Sequence, residues 1–178
     1  MFKALTQFLL FSLVSILLAV FQFSFISALP AWGQNLYPGV IVIVFIIFFI
    51  DLLPALYFIL AFGFFLDILS FQFFGVYTLT LTAAALVVYF ILKNFLTNRS
   101  LYSFLAVMFI FIFIYNFLLA IISFIFLSGS FILGDISFWS SLGWQFFWGG
   151  LSAIIFFSPL IFWFKKFKPF FLEKKRLV

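Results

Sequence analysis

The chain has no cysteine and no histidine among its 178 residues, and charged side chains make up only 7% of it. Without cysteine there is no disulfide, no thiolate nucleophile and no cysteine-bound metal. Without histidine, the commonest metal ligand and the usual proton-transfer group near neutral pH are also missing. The acidic residues are four: Asp51, Asp67, Asp135 and Glu173. A chain this poor in reactive groups is not expected to be an enzyme acting alone, and it implies no cofactor and no metal.

What remains is apolar. Hydrophobic residues account for 69% of the chain, 36 of them phenylalanine, and the mean hydropathy is +1.44. In water so much uncovered apolar surface would be costly, whereas in lipid it needs no cover. The composition therefore predicts an all-α, polytopic membrane helical bundle of about six transmembrane helices. Residues 1–164 form the transmembrane domain and 165–178 a basic cytoplasmic tail. The net charge of +5 reflects nine basic residues. Six of these, Lys165, Lys166, Lys168, Lys174, Lys175 and Arg176, follow directly on the last apolar segment. That placement points to anionic lipid headgroups rather than nucleic acid, each charge contributing roughly 1 kcal/mol. An acidic soluble partner is the alternative use of the tail.

A membrane-spanning helix needs about 20 apolar residues. Leu5–Leu29 is the first such stretch and Pro30 ends it; its apolar run exceeds the ~7–15 residues of a signal peptide. Ala31–Pro38, with Trp32 and Tyr37, reads as an interfacial loop. Gly39–Phe74 is either one long tilted helix or two spans, Val40–Ile50 and Leu52–Phe73. Asp51 before Leu52, Leu53 and Pro54 is a helix-start signal, with a carboxylate to accept from free amides and a proline in the first turn. The shorter span then needs a thin bilayer or burial among its neighbours. Val76–Leu96 and Leu101–Leu127 follow, the latter long enough to tilt or protrude. Ser128–Ser141 reads as a polar loop and Leu142–Phe164 as the last span. Splitting at Asp51 puts Lys3, Lys93, Arg99 and the tail on one side, so both termini are expected in the cytoplasm by the positive-inside rule. The unsplit five-span alternative would place Lys3 outside.

Polar residues inside spans must find partners in protein, because lipid supplies none. Gln22, Asp67, Asn116 and Gln145 fall at similar depths in the outer half of the bundle, which predicts one polar cluster. Asp67 lies near a helix C-terminus, where the macrodipole opposes negative charge. No intramembrane Lys or Arg is at hand, so it is expected to be protonated, to pair with a partner's cation, or to fix helix packing by hydrogen bonds. Thr78, Thr82 and Ala85, Gly149 and Ala153, and Ser15 and Ala19 are small-residue faces suited to close helix packing or self-association.

From about Tyr37 to Ala120 the chain resembles the rod-shape-determining MreD family. The resemblance rests on Gly63-Phe-Phe-Leu-Asp67-Ile-Leu-Ser70 followed by Gly75-Val-Tyr77, with Gln22-Phe-Ser24, Pro38 and the basic turn after the fourth span in support. Where the family commonly has further glycines before the aspartate, this chain has Ile59 and Phe62. The resemblance implies a non-enzymatic component of the bacterial cell-elongation machinery in the plasma membrane. There it would scaffold an MreC-like bitopic protein and act indirectly on the actin-like MreB filament and peptidoglycan-synthesis enzymes. It carries over no catalytic residue; Gly63, Asp67, Ser70, Gly75 and Tyr77 are motif positions only. The rival reading is the substrate-binding membrane subunit of an energy-coupling-factor vitamin transporter, which is similar in size and span count. Against it stand the few polar groups available for a vitamin pocket. A lipid-modifying enzyme is a weaker third reading, with Asp51 and Arg99 as its only plausible cytoplasmic pair.

Overall fold

The computed structural model describes residues 2–70, 74–95, 100–127 and 135–172, with side chains for 12–70, 74–95, 100–125 and 135–155. Every regular element among them is helical: α1 (Phe2–Ser24), a 3₁₀ turn (Ile26–Ala28), α2 (Ala31–Gln34), α3 (Pro38–Phe49), α4 (Leu52–Leu69), α5 (Val76–Phe95), α6 (Leu101–Leu127) and α7 (Ile136–Leu172). The chain is an all-α membrane bundle. Among residues with described side chains, four stretches are long and apolar enough to cross a bilayer: Ala31–Phe49, Leu52–Leu69, Val76–Phe95 and Leu101–Ile125. The apolar helix Ser12–Ala28 is shorter.

The break at Asp51 is real. Asp51 is extended (φ −173°, ψ 173°) and its Oδ1 accepts from the Leu52 amide at 2.8 Å, so the carboxylate caps α4. Pro54 sits in the first turn, where a missing N–H costs nothing. Helix α3 is thus short, 12 residues, and it is placed where a short helix can be tolerated. It touches α1, α4, α5, α6 and α7, while successive contacts α1–α4–α5–α6–α7 form an arc around it. Of the two ways to accommodate a short span, burial among neighbours is the one this chain uses. Gly39, Val40, Ile43, Val44, Ile46, Ile47 and Phe48 of α3 are all buried, so the helix is apolar on every side rather than on one stripe. Phe104 of α6 seals one flank, with ring centroids 4.7 and 5.1 Å from Phe45 and Phe48. On the other flank Gly39 receives the Phe62 ring so closely that a Cβ there would overlap it.

Two expectations are corrected. The Ala31–Pro38 loop contains the one-turn helix α2, whose Gly33 and Gln34 amides return to the Pro30 carbonyl at 2.7 and 3.1 Å. The last helix begins at Ile136, inside the stretch expected to be a polar loop, and runs 37 residues to Leu172, past Phe164 on the other end. Gly129, Gly134, Asp135 and the serines made Ser128–Ser141 look like a loop throughout, yet its last six residues, Ile136–Ser141, with Trp139 among them, form the first turns of the helix. Leu101–Leu127 forms as expected and protrudes. Tyr37, which precedes α3, packs edge-on against Tyr115 with centroids 6.3 Å apart. Helix α6 therefore continues 12 residues, about 18 Å, past the level where α3 starts.

Candidate functional site

The turn end of the α4–α5 hairpin is the most elaborately built polar feature among the described residues. Asp67 lies in the last turn of α4 and is only 3% exposed. Its Oδ1 accepts from the Tyr77 amide at 2.8 Å; its Oδ2 accepts from the Thr78 amide at 3.2 Å and from Thr78 Oγ1 at 2.6 Å. Tyr77 and Thr78 are the second and third residues of α5. The carboxylate thus performs, from a neighbouring helix, the work of an N-cap side chain. It satisfies two of the amides that every helix leaves orphaned at its start. Negative charge there is favoured by the positive end of the α5 macrodipole, which opposes the unfavourable end of α4.

Two glycines make this contact possible. Gly63 stands one turn before Asp67 on the same face, and a Cβ at that position would lie 2.7 Å from Thr78 Cα and 2.8 Å from Thr78 Oγ1. Only a residue without a side chain lets the α5 backbone come near enough for Asp67 to reach it. Gly75 ends the connection with φ +96°, a conformation that L side chains rarely adopt, and its carbonyl accepts from the Leu79 amide at 2.9 Å. Ser70 closes α4, its amide donating to Leu66 O at 2.9 Å and its hydroxyl to Asp67 O at 3.3 Å. Gly63, Asp67, Ser70, Gly75 and Tyr77 therefore serve a single device, a stapled helical hairpin. The space beside Gly75 is open, with nothing within 4 Å of where a Cβ would lie. Gly75→Ala is therefore expected to cost only its backbone strain, about 1 kcal/mol. Gly75→Asn is expected to cost less, and thermal unfolding of the two variants checks the order.

The expected four-residue cluster is not formed; its members divide by helix face. Asn116 and Gln145 do pair, joining α6 to α7: Asn116 Nδ2 donates to Gln145 Oε1 at 2.6 Å and Gln145 Nε2 to Asn116 Oδ1 at 3.3 Å. Asn116 Nδ2 also donates to Ile112 O at 2.7 Å. Asp67 is occupied by α5 instead. Gln22 joins neither, and its Oε1 is sealed without a hydrogen-bond partner. Equal depth was a fair expectation, but depth does not fix which way a side chain faces around its helix. The reciprocal pair predicts a double-mutant cycle: Asn116→Leu and Gln145→Leu should each destabilise, and the double variant should recover roughly 0.6–1.7 kcal/mol of their sum.

A feature the sequence did not disclose is a strap at the same end. Trp148 of α7 donates its indole N–H to the Trp32 carbonyl of α2 at 2.8 Å, and the two indoles stack at 5.9 Å. The contact joins residues 116 positions apart. The tryptophans were visible as interfacial residues; their pairing was not. Among the small-residue faces, Gly149 packs on Ile112, where a Cβ would meet Cδ1 at 2.8 Å, and Ala153 and Ser15 are fully buried. The side chains of Lys165, Lys166, Lys168, Lys174, Lys175 and Arg176 lie outside the described residues.

Searches of protein families, of curated proteins and of solved structures find no match to this chain. The site must be read from its own geometry. Its carboxylate has three protein donors, and among the described residues no group of three His, Cys, Asp or Glu could hold a metal. The arrangement can hold helices in register.

Proposed function

We propose that this chain is a non-enzymatic, multi-pass component of the bacterial cell-elongation machinery, similar to MreD. In this reading it lies in the plasma membrane with both termini in the cytoplasm. It scaffolds an MreC-like bitopic partner and, through it, peptidoglycan synthesis and the actin-like filament. The observation that supports the reading is the stapled hairpin: of the residues that carry the family resemblance, Gly63, Asp67 and Gly75 are the ones the hairpin geometry requires. A rigid hairpin suits a scaffold, which must present fixed helix faces to a partner through lipid. Among the described residues, the cavity beside Tyr37 and Tyr115 has room for about one water molecule, and the larger space of about 400 Å³ beside Thr78 and Thr82 is an open apolar surface; neither encloses a vitamin, and this favours the scaffold over the transport reading.

Gentle affinity purification from the native membrane tests the proposal. Recovery of an MreC-like protein, with wall-synthesis enzymes or the filament, is the expected result. Recovery of paired ATPases with a membrane coupling subunit would replace it by transport. Single cysteines at Lys3 and Ser70 test the orientation without background thiols. Membrane-impermeant reagent is expected to label Ser70→Cys and to spare Lys3→Cys in intact cells.

A further inference from the structure

Helix α7 does not stop where its membrane span stops. Its apolar run reaches Phe164 and already has the length to cross the hydrocarbon layer, yet the backbone stays helical for two further turns, through Leu172. The basic tail expected from residue 165 is therefore helical where it begins. Those turns read Lys165-Lys-Phe-Lys-Pro-Phe-Phe-Leu172. At about 100° per residue, the helical register puts Phe164, Phe167, Phe170 and Phe171 on one side. Lys165, Lys166 and Lys168 fall on the other, with Leu172 alone among them. A helix that ran straight on into water would leave an aromatic side uncovered at its base. Two turns rise about 12 Å and the headgroup layer is roughly 5–8 Å deep, so the first of them cannot escape that layer. Pro169 lies inside the helix and supplies no amide, which leaves the Lys165 carbonyl without its helical donor. Hydrocarbon offers no replacement, whereas hydrated headgroups do.

Charge selects the partner. Lys3, in the first turn of α1, and Lys93, in the last turn of α5, fall at the same end of the bundle as the last turns of α7, because successive spans alternate in direction. The described acid at that end, Asp51, is already held as the cap of α4. The connections at the opposite end, 25–37, 70–75 and 128–135, hold no Lys or Arg.

We infer that the last two turns of α7 form an amphipathic foot that binds the anionic phospholipid surface. The phenylalanine side sinks to the boundary between headgroups and acyl chains, and the lysines meet the lipid phosphates. The Trp32–Trp148 strap and the Asn116–Gln145 pair hold α7 at its other end, so the foot fixes the depth at which the helix sits. This inference is independent of the cell-elongation reading.

Spin labelling of the full chain tests it, on a background without native thiols. Lys166→Cys, Phe167→Cys, Lys168→Cys and Phe171→Cys, one at a time, carry the label in vesicles of phosphatidylcholine with or without phosphatidylglycerol. With phosphatidylglycerol, a water-soluble nickel relaxant is expected to reach the labels at 167 and 171 at least about fivefold less than those at 166 and 168, because one side of the foot lies below the headgroups. In phosphatidylcholine alone, or in high salt, that contrast is expected to shrink at least about twofold, since the attraction is absent or screened. Equal, high access at all four positions would mean a helix projecting into water, and would overturn the inference. A contrast indifferent to phosphatidylglycerol and salt would mean apolar anchoring without recognition of charge, and would overturn it too. So would labels shielded only when polyglutamate is added, the mark of an acidic soluble partner. Replacing Lys165, Lys166 and Lys168 together by Gln is expected to abolish the lipid dependence seen at Phe171→Cys. If that variant does not insert, the salt series on the unaltered lysines carries the same outcomes.

Discussion

Asp67→Leu is expected to destabilise the bundle by about 3–5 kcal/mol, the range for breaking a buried, hydrogen-bonded charged group by removing one partner. The leucine fills similar volume, so the loss is not one of packing. It comes from two α5 amides and the Thr78 hydroxyl losing their acceptor in a setting where lipid offers no substitute. Asp67→Asn keeps one oxygen able to accept and is expected to cost less, about 1–2 kcal/mol. The order wild type, Asn, Leu in unfolding midpoint is the signature of a cap. If Asn and Leu were equally damaging while Glu restored stability, charge itself rather than amide capping would be the requirement. If both were silent, the hairpin staple would have no energetic role. Because a scaffold works through its shape, the cell-elongation reading adds that Asp67→Leu cells lose rod form and Asp67→Asn cells keep it in part.

The second large effect is expected at Gly63. A methyl there meets Thr78 Cα at 2.7 Å, and backbone cannot move aside as a side-chain tip can. Gly63→Ala should cost about 2–3 kcal/mol, the upper part of the overpacking range, and Gly63→Val more. The damage should spread to Asp67, since forcing α4 and α5 apart lengthens all three cap hydrogen bonds. After Gly63→Ala, Asp67→Leu should therefore cost much less than it does alone. Gly143 is the control: nothing lies within 4 Å of a Cβ at that helical position, so Gly143→Ala is expected to be neutral or slightly stabilising. Additive losses at Gly63 and Asp67 in a double-mutant cycle would separate the close approach from the cap.

These two residues show where the sequence could be read and where it could not. Helix starts written in side chains were legible: Asp51 and Pro54 mark α4, and the apolar run Leu101–Leu127 is α6 to the residue. Gly63, Asp67 and Gly75 could be recognised as a motif, but the partner of the carboxylate could not. Of the expected roles for Asp67, a proton, a partner's cation or hydrogen bonds that fix helix packing, the structure shows the last; its donors could not be named beforehand because two of them are backbone amides, which every sequence contains and none displays. The division of the polar cluster was illegible for a related reason. Residue spacing gives depth along a helix, whereas the pairing of Asn116 with Gln145 and the isolation of Gln22 depend on the rotation of each helix about its axis. The early start of α7 was missed because Gly134, Asp135 and the serines that follow read as one polar loop, although the helix begins directly after Asp135.

The uneven helix lengths give the molecule a direction in the plane of the bilayer. On one flank α4 and α5, with 18 and 20 residues, reach about 27–30 Å, close to the ~30 Å thickness of the hydrocarbon layer. On the other flank the apolar stretch of α6, Leu101–Ile125 with 25 residues, reaches about 38 Å, and Phe117, Ile121, Phe124 and Ile125 carry apolar surface up the taller side. Lipids around the protein meet a low wall on one side and a high wall on the other, so they must stretch or the taller helix must lean. Either response stores elastic energy that falls when another long helix stands beside α6. Neighbours are thereby sorted by height before any specific contact forms, and a chain with almost no charge still tells its surroundings which way it faces.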